Sequence, residues 1–266
     1  MNNGNVRLAT EGQLDELRLA IERSLNKLRG RIDFDTAQGL IFDSKPIDLL
    51  LEQLLPVEGK EKPIAQAVST LFAPVGTITL KATTEKFAAA RKFVVNTKDD
   101  AEVKIFALGD NFCDYFLGVT EDAMSGSELA VQNLTKFAKD RRIITDLGDT
   151  SKAKIALSQM FYALAQQGHG QEGSLLVNSG WNLFYIPQPV TKVDAKNFTY
   201  INRKGTTVKE KIGDPKYMFE IAGQWFVLRA VDSRWRGGGW YCGAYPVERV
   251  GGWGDGNRVV SRKVTV

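Results

Sequence analysis

Near the start of the chain, apolar residues recur at three- and four-residue steps. Leu14, Leu17, Ile21, Leu25 and Leu28 form one stripe, with Asp15, Glu16, Glu22 and Arg23 on the other side, which is the pattern of an amphipathic helix. Thr10 and Gln13 have capping-box spacing and Gly30 supplies a stop, so the spacing predicts a helix over 10–30. Shorter helices are expected around Ala37, Leu40 and Ile41, after the Ser44–Pro46 start, and over 64–72, with the polar 56–63 stretch as a loop. At Gly76 the pattern turns to alternation. Strands are expected at 76–81, 103–106 and 115–119, the last two around a Gly109-Asp110-Asn111 turn, and a helix at 85–92. Helical spacing returns in Leu129, Ala130, Leu134, Phe137 and Ala138, and in Ile143, Ile144 and Leu147 before Gly148. A longer helical stripe follows in Ala153, Ala156, Leu157, Met160, Phe161 and Leu164, starting at 149–151 and ending at Gly168.

Beyond Ser174 helical periodicity stops. Short β-branched and aromatic runs at 175–177, 183–186, 198–201, 206–208, 217–221, 225–231, 240–242 and 258–261 are separated by glycine turns at Gly180, Gly205, Gly213, Gly223, Gly237–Gly239 and Gly251–Gly252. In 225–231 one face carries Trp225, Val227, Arg229 and Val231, the other Phe226, Leu228, Ala230 and Asp232. Both faces are largely apolar, the mark of a core strand. The reading is an α+β chain. An N-terminal helical and mixed region spans 1–172, and a C-terminal antiparallel β barrel or sandwich spans 173–266. Gly238 and Gly252 are expected to hold positive φ in that β region.

Charge divides the chain in the same way. Residues 151–266 hold 16 Lys and Arg against 8 Asp and Glu, whereas the first 150 residues hold 19 against 23. All five tryptophans lie in the basic part. No run approaches the roughly 18 apolar residues of a spanning helix, and the first residues lack the layout of a secretory signal. The expected setting is the cytoplasm, or a particle assembled from it, without membrane insertion.

Candidate chemistry is sparse. Cys113 and Cys242 lie far apart with no metal-ligand spacing and read as packed thiols. Gly168–Gly173 matches GxGxxG in letters only, because a helix precedes it where a dinucleotide site needs a strand. His169 is the sole histidine, in a glycine loop that is a poor seat for a rigid catalytic imidazole. Asp110 with Asp114, and Glu121 with Asp122, are the acidic pairs, and carboxylates beside turns shape turns. Asp232 and Asp255 lie nearer the tryptophans, but Asp255-Gly256 is a tight-turn pair. No cofactor, metal site or reaction is indicated. What stands out is arginine interleaved with aromatic rings: Arg229, Arg234, Trp235, Arg236, Trp240, Tyr241, Tyr245, Arg249, Trp253, Arg258 and Arg262. Cations for phosphates and flat rings for bases are the means of single-strand binding. The expected function is therefore non-enzymatic contact with a polyanion, nucleic acid first. A structural, assembly or glycan-binding module is the alternative, since the same rings serve a subunit contact or a sugar platform.

Four stretches together resemble uncharacterised proteins found in bacterial genomes and their mobile elements. They are Asp33-Phe34-Asp35-x-Ala37-Gln38; Val103-Lys104-Ile105 with Gly109-Asp110-Asn111-Phe112; Gly173 through Ile186; and the Trp- and Arg-rich tail from Trp225 to Arg262. The resemblance implies a bacterial or phage origin and brings no activity. Against it, Asp194–Pro215 reads as an insertion.

The near-heptad stripe of the 10–30 helix also suits pairing with a second copy. Light scattering should give a dimer or larger species for the full chain and a smaller one when residues 1–31 are deleted. A monomer in both cases removes that role.

Overall fold

The computed structural model describes residues 71–178, 180–247 and 251–263, all within one compact unit, Val68–Val266. The helices expected before residue 71, including 10–30, lie outside the described residues. The unit is built on one eight-stranded mixed sheet. In spatial order it runs β1 (Phe72–Leu80), β5 (Ser127–Leu134), β13 (Arg258–Arg262), β6 (Asn182–Pro189), β11 (Gln224–Arg236), β12 (Gly239–Pro246) and β3 (Ile105–Leu108). β10 (Met218–Ile221) pairs with the start of β11. Neighbours are antiparallel except β13 with β6 and β12 with β3. Among the described residues the strands do not close into a barrel: the path has two ends, β1 and β3. The expectation of a purely antiparallel C-terminal barrel or sandwich is thus corrected. β1, β3 and β5 come from before residue 172 and hydrogen-bond directly to strands from after it.

Both faces of the sheet are covered. One packs Val131, Phe184, Ile186, Val231, Trp240 and Val260 against α1 (Ala89–Lys92), α2 (Asp110–Phe116) and α5 (Leu157–Ala165). The other packs Leu183, Tyr185, Leu228, Ala230 and Val259 against α3 (Asp140–Leu147) and α4 (Thr150–Ala153). Central β11 is buried from Val227 to Ser233, as its two apolar faces predict. Two small sheets stand apart: β2 (Phe87–Ala88) with β4 (Thr120–Glu121), and β7 (Lys192–Val193), β8 (Asn197–Ile201) and β9 (Thr207–Lys211).

Several elements differ from the sequence reading for identifiable reasons. Tyr115 and Phe116 belong to helix α2, whose buried Phe112, Cys113, Tyr115 and Phe116 make a helical stripe; so short an apolar run fits either period. The helical spacing from Leu129 is strand β5. Val131, not part of the helical stripe, lies with Leu129 on one face, and Leu134 lies on the other. The expected helix through Ala153 and Leu164 is broken at 154–156, where the Ile155 amide donates to the Tyr185 carbonyl. The second part, α5, starts on Glu121, whose carboxylate accepts from the Leu157 and Ser158 amides at 3.0 and 2.9 Å. Residues 175–177 form no strand. The Gln167 side chain bonds both the amide and the carbonyl of Leu175, in place of a neighbouring strand. Among the described residues no helix is long and apolar enough to cross a membrane.

Two tight hairpins set the register of β11. Gly237 and Gly238 (φ 59° and 78°) join it to β12, and Ala222 and Gly223 (φ 48° and 82°) join β10 to it. These are two-residue turns with both central residues left-handed, matched to the twist of the strands. Gly252, by contrast, does not take a positive φ; it is needed because a Cβ there would lie 2.5 Å from Phe137 Cζ and 2.7 Å from the Ala138 carbonyl oxygen. Gly238→Val should cost about 1–2 kcal/mol for the left-handed backbone alone, and Gly252→Val should cost at least as much through the clash. Ala222→Gly should raise stability by about 0.5 kcal/mol, the strain relieved less the added freedom of the unfolded chain. Urea midpoints of the three variants test the ordering.

Candidate functional site

Strand alternation divides the arginine- and aromatic-rich residues between the two faces of the sheet. Trp235 and Trp240 point to the helix α5 side. Their rings meet edge to face at 5.4 Å, and the Trp240 indole, fully buried, donates to the Gln167 carbonyl at 3.2 Å. Arg229 is on the same face and is only 2 % exposed. It donates to Gln188 Oε1 at 2.6 Å and to Glu210 Oε2 at 2.8 Å, with its guanidinium 4.1 Å above the Tyr115 ring. Trp253 is buried on the other face, where its indole donates to the buried Asp140 at 2.7 Å. Arg258 donates to the carbonyls of Gly173 and Ser174, and burial pulls its pKa below the ordinary arginine value. Arg262 is exposed as the last residue of the interior strand β13, on a cleft of about 540 Å³ that it shares with Lys263, Glu121 and Ser158. Arg249 lies outside the described residues. These placements leave Arg229, Trp240 and Trp253 as interior groups already engaged by the protein's own atoms.

The remaining residues converge on the α3 side of the β11–β12 hairpin. Arg234 lies opposite Tyr241 across the two strands, and its guanidinium stacks on Trp181 at 4.1 Å. Arg236, exposed at the strand end, lies over Tyr241 at 4.4 Å and near Phe106 at 5.7 Å. The result is an alternating row across four neighbouring segments: Trp181, Arg234, Tyr241, Arg236, Phe106. Among the described residues neither arginine makes an ion pair, and Arg234 Nε is buried without a hydrogen-bond partner. The row is therefore held by ring faces, and each such contact contributes about 0.5–1 kcal/mol where exposed.

Glycine makes the row possible. A Cβ at Gly237 would lie 2.5 Å from the Phe106 ring, and one at Gly239 2.8 Å from the Phe106 amide nitrogen. β3 therefore reaches β12 only because the hairpin is bare there. Beneath the row, Gly243 faces Asp232 across the strand pair. The buried Asp232 carboxylate occupies the space that a side chain at 243 would fill, flanked by the Tyr241 and Tyr245 rings. Burial first, and the Asp232 charge second, push the Tyr241 phenol above its ordinary pKa, so the ring is neutral at physiological pH. The residues missed at the sequence level are Trp181 and Phe106. Neither lies near an arginine in the chain, and only the order of the strands brings them there.

The acidic pairs serve the structure. Asp110 and Asp114 both bind Arg203, at 2.6 and 3.2 Å, and Glu121 caps α5. His169 is exposed, with Nε2 2.9 Å from the Ala101 carbonyl oxygen, and a loop rather than a helix follows Gly168–Gly173. Both cysteine thiols are buried and pushed up in pKa by that burial, Cys242 far above the usual range.

Because Arg229 and Glu210 tie β9 to β11 across a largely dry contact, Arg229→Ala should destabilise the fold by about 3 kcal/mol, typical for breaking a buried pair from one side. Arg236→Ala should change stability by less than about 0.5 kcal/mol, as for most surface substitutions. Chemical denaturation of both variants checks the contrast. Comparison with protein-family models, curated proteins and solved structures finds no match to this chain.

Proposed function

We propose that the protein is a non-enzymatic nucleic-acid-binding protein that engages single strands along the Trp181–Arg234–Tyr241–Arg236–Phe106 row. The observation that carries this reading is the pair of guanidiniums, each lying on a ring and free of carboxylate partners among the described residues. The Arg236 guanidinium, exposed at the strand end with its face on a ring, leaves its N–H edge for the oxygens of a phosphate. Arg234 is half-buried with its Nε enclosed and offers only its terminal N–H groups. The exposed Phe106 ring at the end of the row suits an unstacked base. Arg234 and Arg236 are two residues apart on one strand, a separation of about 6.8 Å along the backbone, comparable with the step between neighbouring phosphates of an extended strand.

The test is fluorescence anisotropy with labelled single- and double-stranded oligonucleotides at several salt concentrations. Single strands should bind, and the logarithm of the affinity should fall with the logarithm of salt by about 0.7 for each phosphate contact. Arg234→Ala with Arg236→Ala should flatten that slope by about 1.4. Phe106→Ala should weaken binding with the slope unchanged, as expected for a stacking ring. Failure to bind either oligonucleotide below about 10 µM at low salt, weaker than ordinary non-specific binding, would exclude the reading and leave an assembly or glycan-binding role.

A further inference from the structure

We infer that the outer face of the β7–β8–β9 sheet is a second, separate nucleic-acid contact, one that grips the phosphate backbone without reading bases. It shares a ligand class with the row on the β11–β12 hairpin but none of its residues, and it sits against the opposite face of the main sheet. The excursion begins after β6 and returns at the single turn of 3-10 helix Pro215–Tyr217. It is the segment that reads as an insertion in the sequence.

Alternation sorts its side chains. Phe198 and Tyr200 of β8 are buried, and Val208 and Glu210 of β9 are half-buried, all directed at the body of the protein. Lys209 and Lys211 alternate with them and are exposed. Across the ladder Lys192 pairs with Thr199, and Thr199 with Lys209, so these three form one outward row. Lys196 and Lys204 stand exposed in the two connecting turns. The acids are accounted for. Glu210 points inward to Arg229 at 2.8 Å. Asp194 accepts the Lys196 and Asn197 amides of its own turn and lies 3.9 Å from Lys209. Asp110 and Asp114 hold Arg203, and Asp214 lies beside Lys216. Among the described residues the outer face is thus several lysines against one carboxylate.

The sheet under these lysines is fixed. Phe198 and Tyr200 are in the core, with Tyr200 against Tyr115 at 5.4 Å. The Arg229–Glu210 and Arg203–Asp110 pairs clamp its two ends. A small sheet of five-residue strands with no contact to the main sheet's hydrogen-bonding ladder gains its stability from that anchoring. The lysines therefore project from a fixed surface. Lysine is a point charge that neutralises phosphate without the planar fork needed for base edges. The exposed, outward Thr207 adds a hydroxyl donor of the kind that phosphate oxygens accept. Nucleic acid is favoured over a lipid surface because, among the described residues, the only large apolar side chain exposed on this face is Ile201, too little to enter a bilayer interface.

The experiment replaces Lys192, Lys209 and Lys211 with Gln together and compares this variant, the Arg234→Ala/Arg236→Ala variant and the parent chain on a duplex oligonucleotide across a salt series. Unchanged thermal melting of the lysine variant confirms that the exposed substitutions leave the fold intact. Loss of three duplex phosphate contacts should flatten the log–log salt slope by about 2.7, equally for unrelated sequences. A slope equal to that of the parent chain, or absence of duplex binding by the parent chain, overturns the inference. Binding to phosphatidylserine vesicles that depends on the three lysines, with duplex binding independent of them, overturns it too and assigns the face to membranes. If the lysine variant loses duplex slope while the arginine variant keeps the parent's slope on a single-stranded oligonucleotide, this contact stands and the row on the β11–β12 hairpin is the reading that fails.

Discussion

The pairing register of β11 is the constraint on which the rest of this unit depends. It runs between β6 and β12 and is buried on both faces through its middle. Side chains alternate with a period of two, so a slip of one residue would exchange the faces. Val227, Val231 and Trp235 would leave the α5 side, and Arg229 would be driven away from Glu210 and Gln188. Two left-handed turns, one at each end of β11, hold the register against such a slip. Gly238 is used for backbone conformation, Gly237 for that and for the close approach of Phe106, and Gly239, the first residue of β12, for the close approach alone.

A strand buried on both sides imposes a second condition on its polar residues. Arg229, Asp232 and Ser233 are all buried, and a buried polar group is costly unless its surroundings match it. Arg229 is matched by a carboxylate, an amide and two aromatic rings, drawn from four different elements. That matching also explains the β7–β9 excursion. Its Glu210 neutralises a cation that the central strand carries inside, and the same alternation that turns Glu210 inward turns Lys209 and Lys211 out. The interior charge of β11 and the basic outer surface of the small sheet are two consequences of one strand's parity.

Local pattern made much of this legible. Strands β6, β8, β9, β10, β11, β12 and β13 all fall where aromatic and β-branched runs lie between glycine turns, and the two apolar faces of 225–231 identify the centre of the sheet. Order and partnership were not legible, because they are set by contacts distant in sequence. β3 joins β12 in parallel and β13 joins both β5 and β6, and no periodicity encodes such pairings. The site was legible in part for the same reason. Interleaving of Arg and Trp in the sequence suggests one shared surface, but in a strand adjacent residues face opposite ways. Trp235 is thereby separated from Arg234 and Arg236. The rings that do meet those arginines, Trp181 and Phe106, belong to other segments, and Tyr241 meets them only through the hairpin register.

An alternating row of rings and guanidiniums has an interior explanation as well as a functional one: it stiffens the open end of the sheet. The two explanations differ in what they leave unsatisfied. Stacking uses the faces of the guanidinium and of the ring, whereas the strong hydrogen bonds of arginine lie in the plane of its five N–H groups. Arg229 shows how this protein treats an arginine whose role is internal, stacked on Tyr115 and also bonded in plane to Gln188 and Glu210. Arg234 and Arg236 have the stacking without the in-plane partners among the described residues, and Arg234 Nε is buried while lacking one. A stiffening role needs only the first half of that arrangement. The unfilled second half, on two cations of the same face, is the feature on which the proposal of a phosphate-bearing ligand rests.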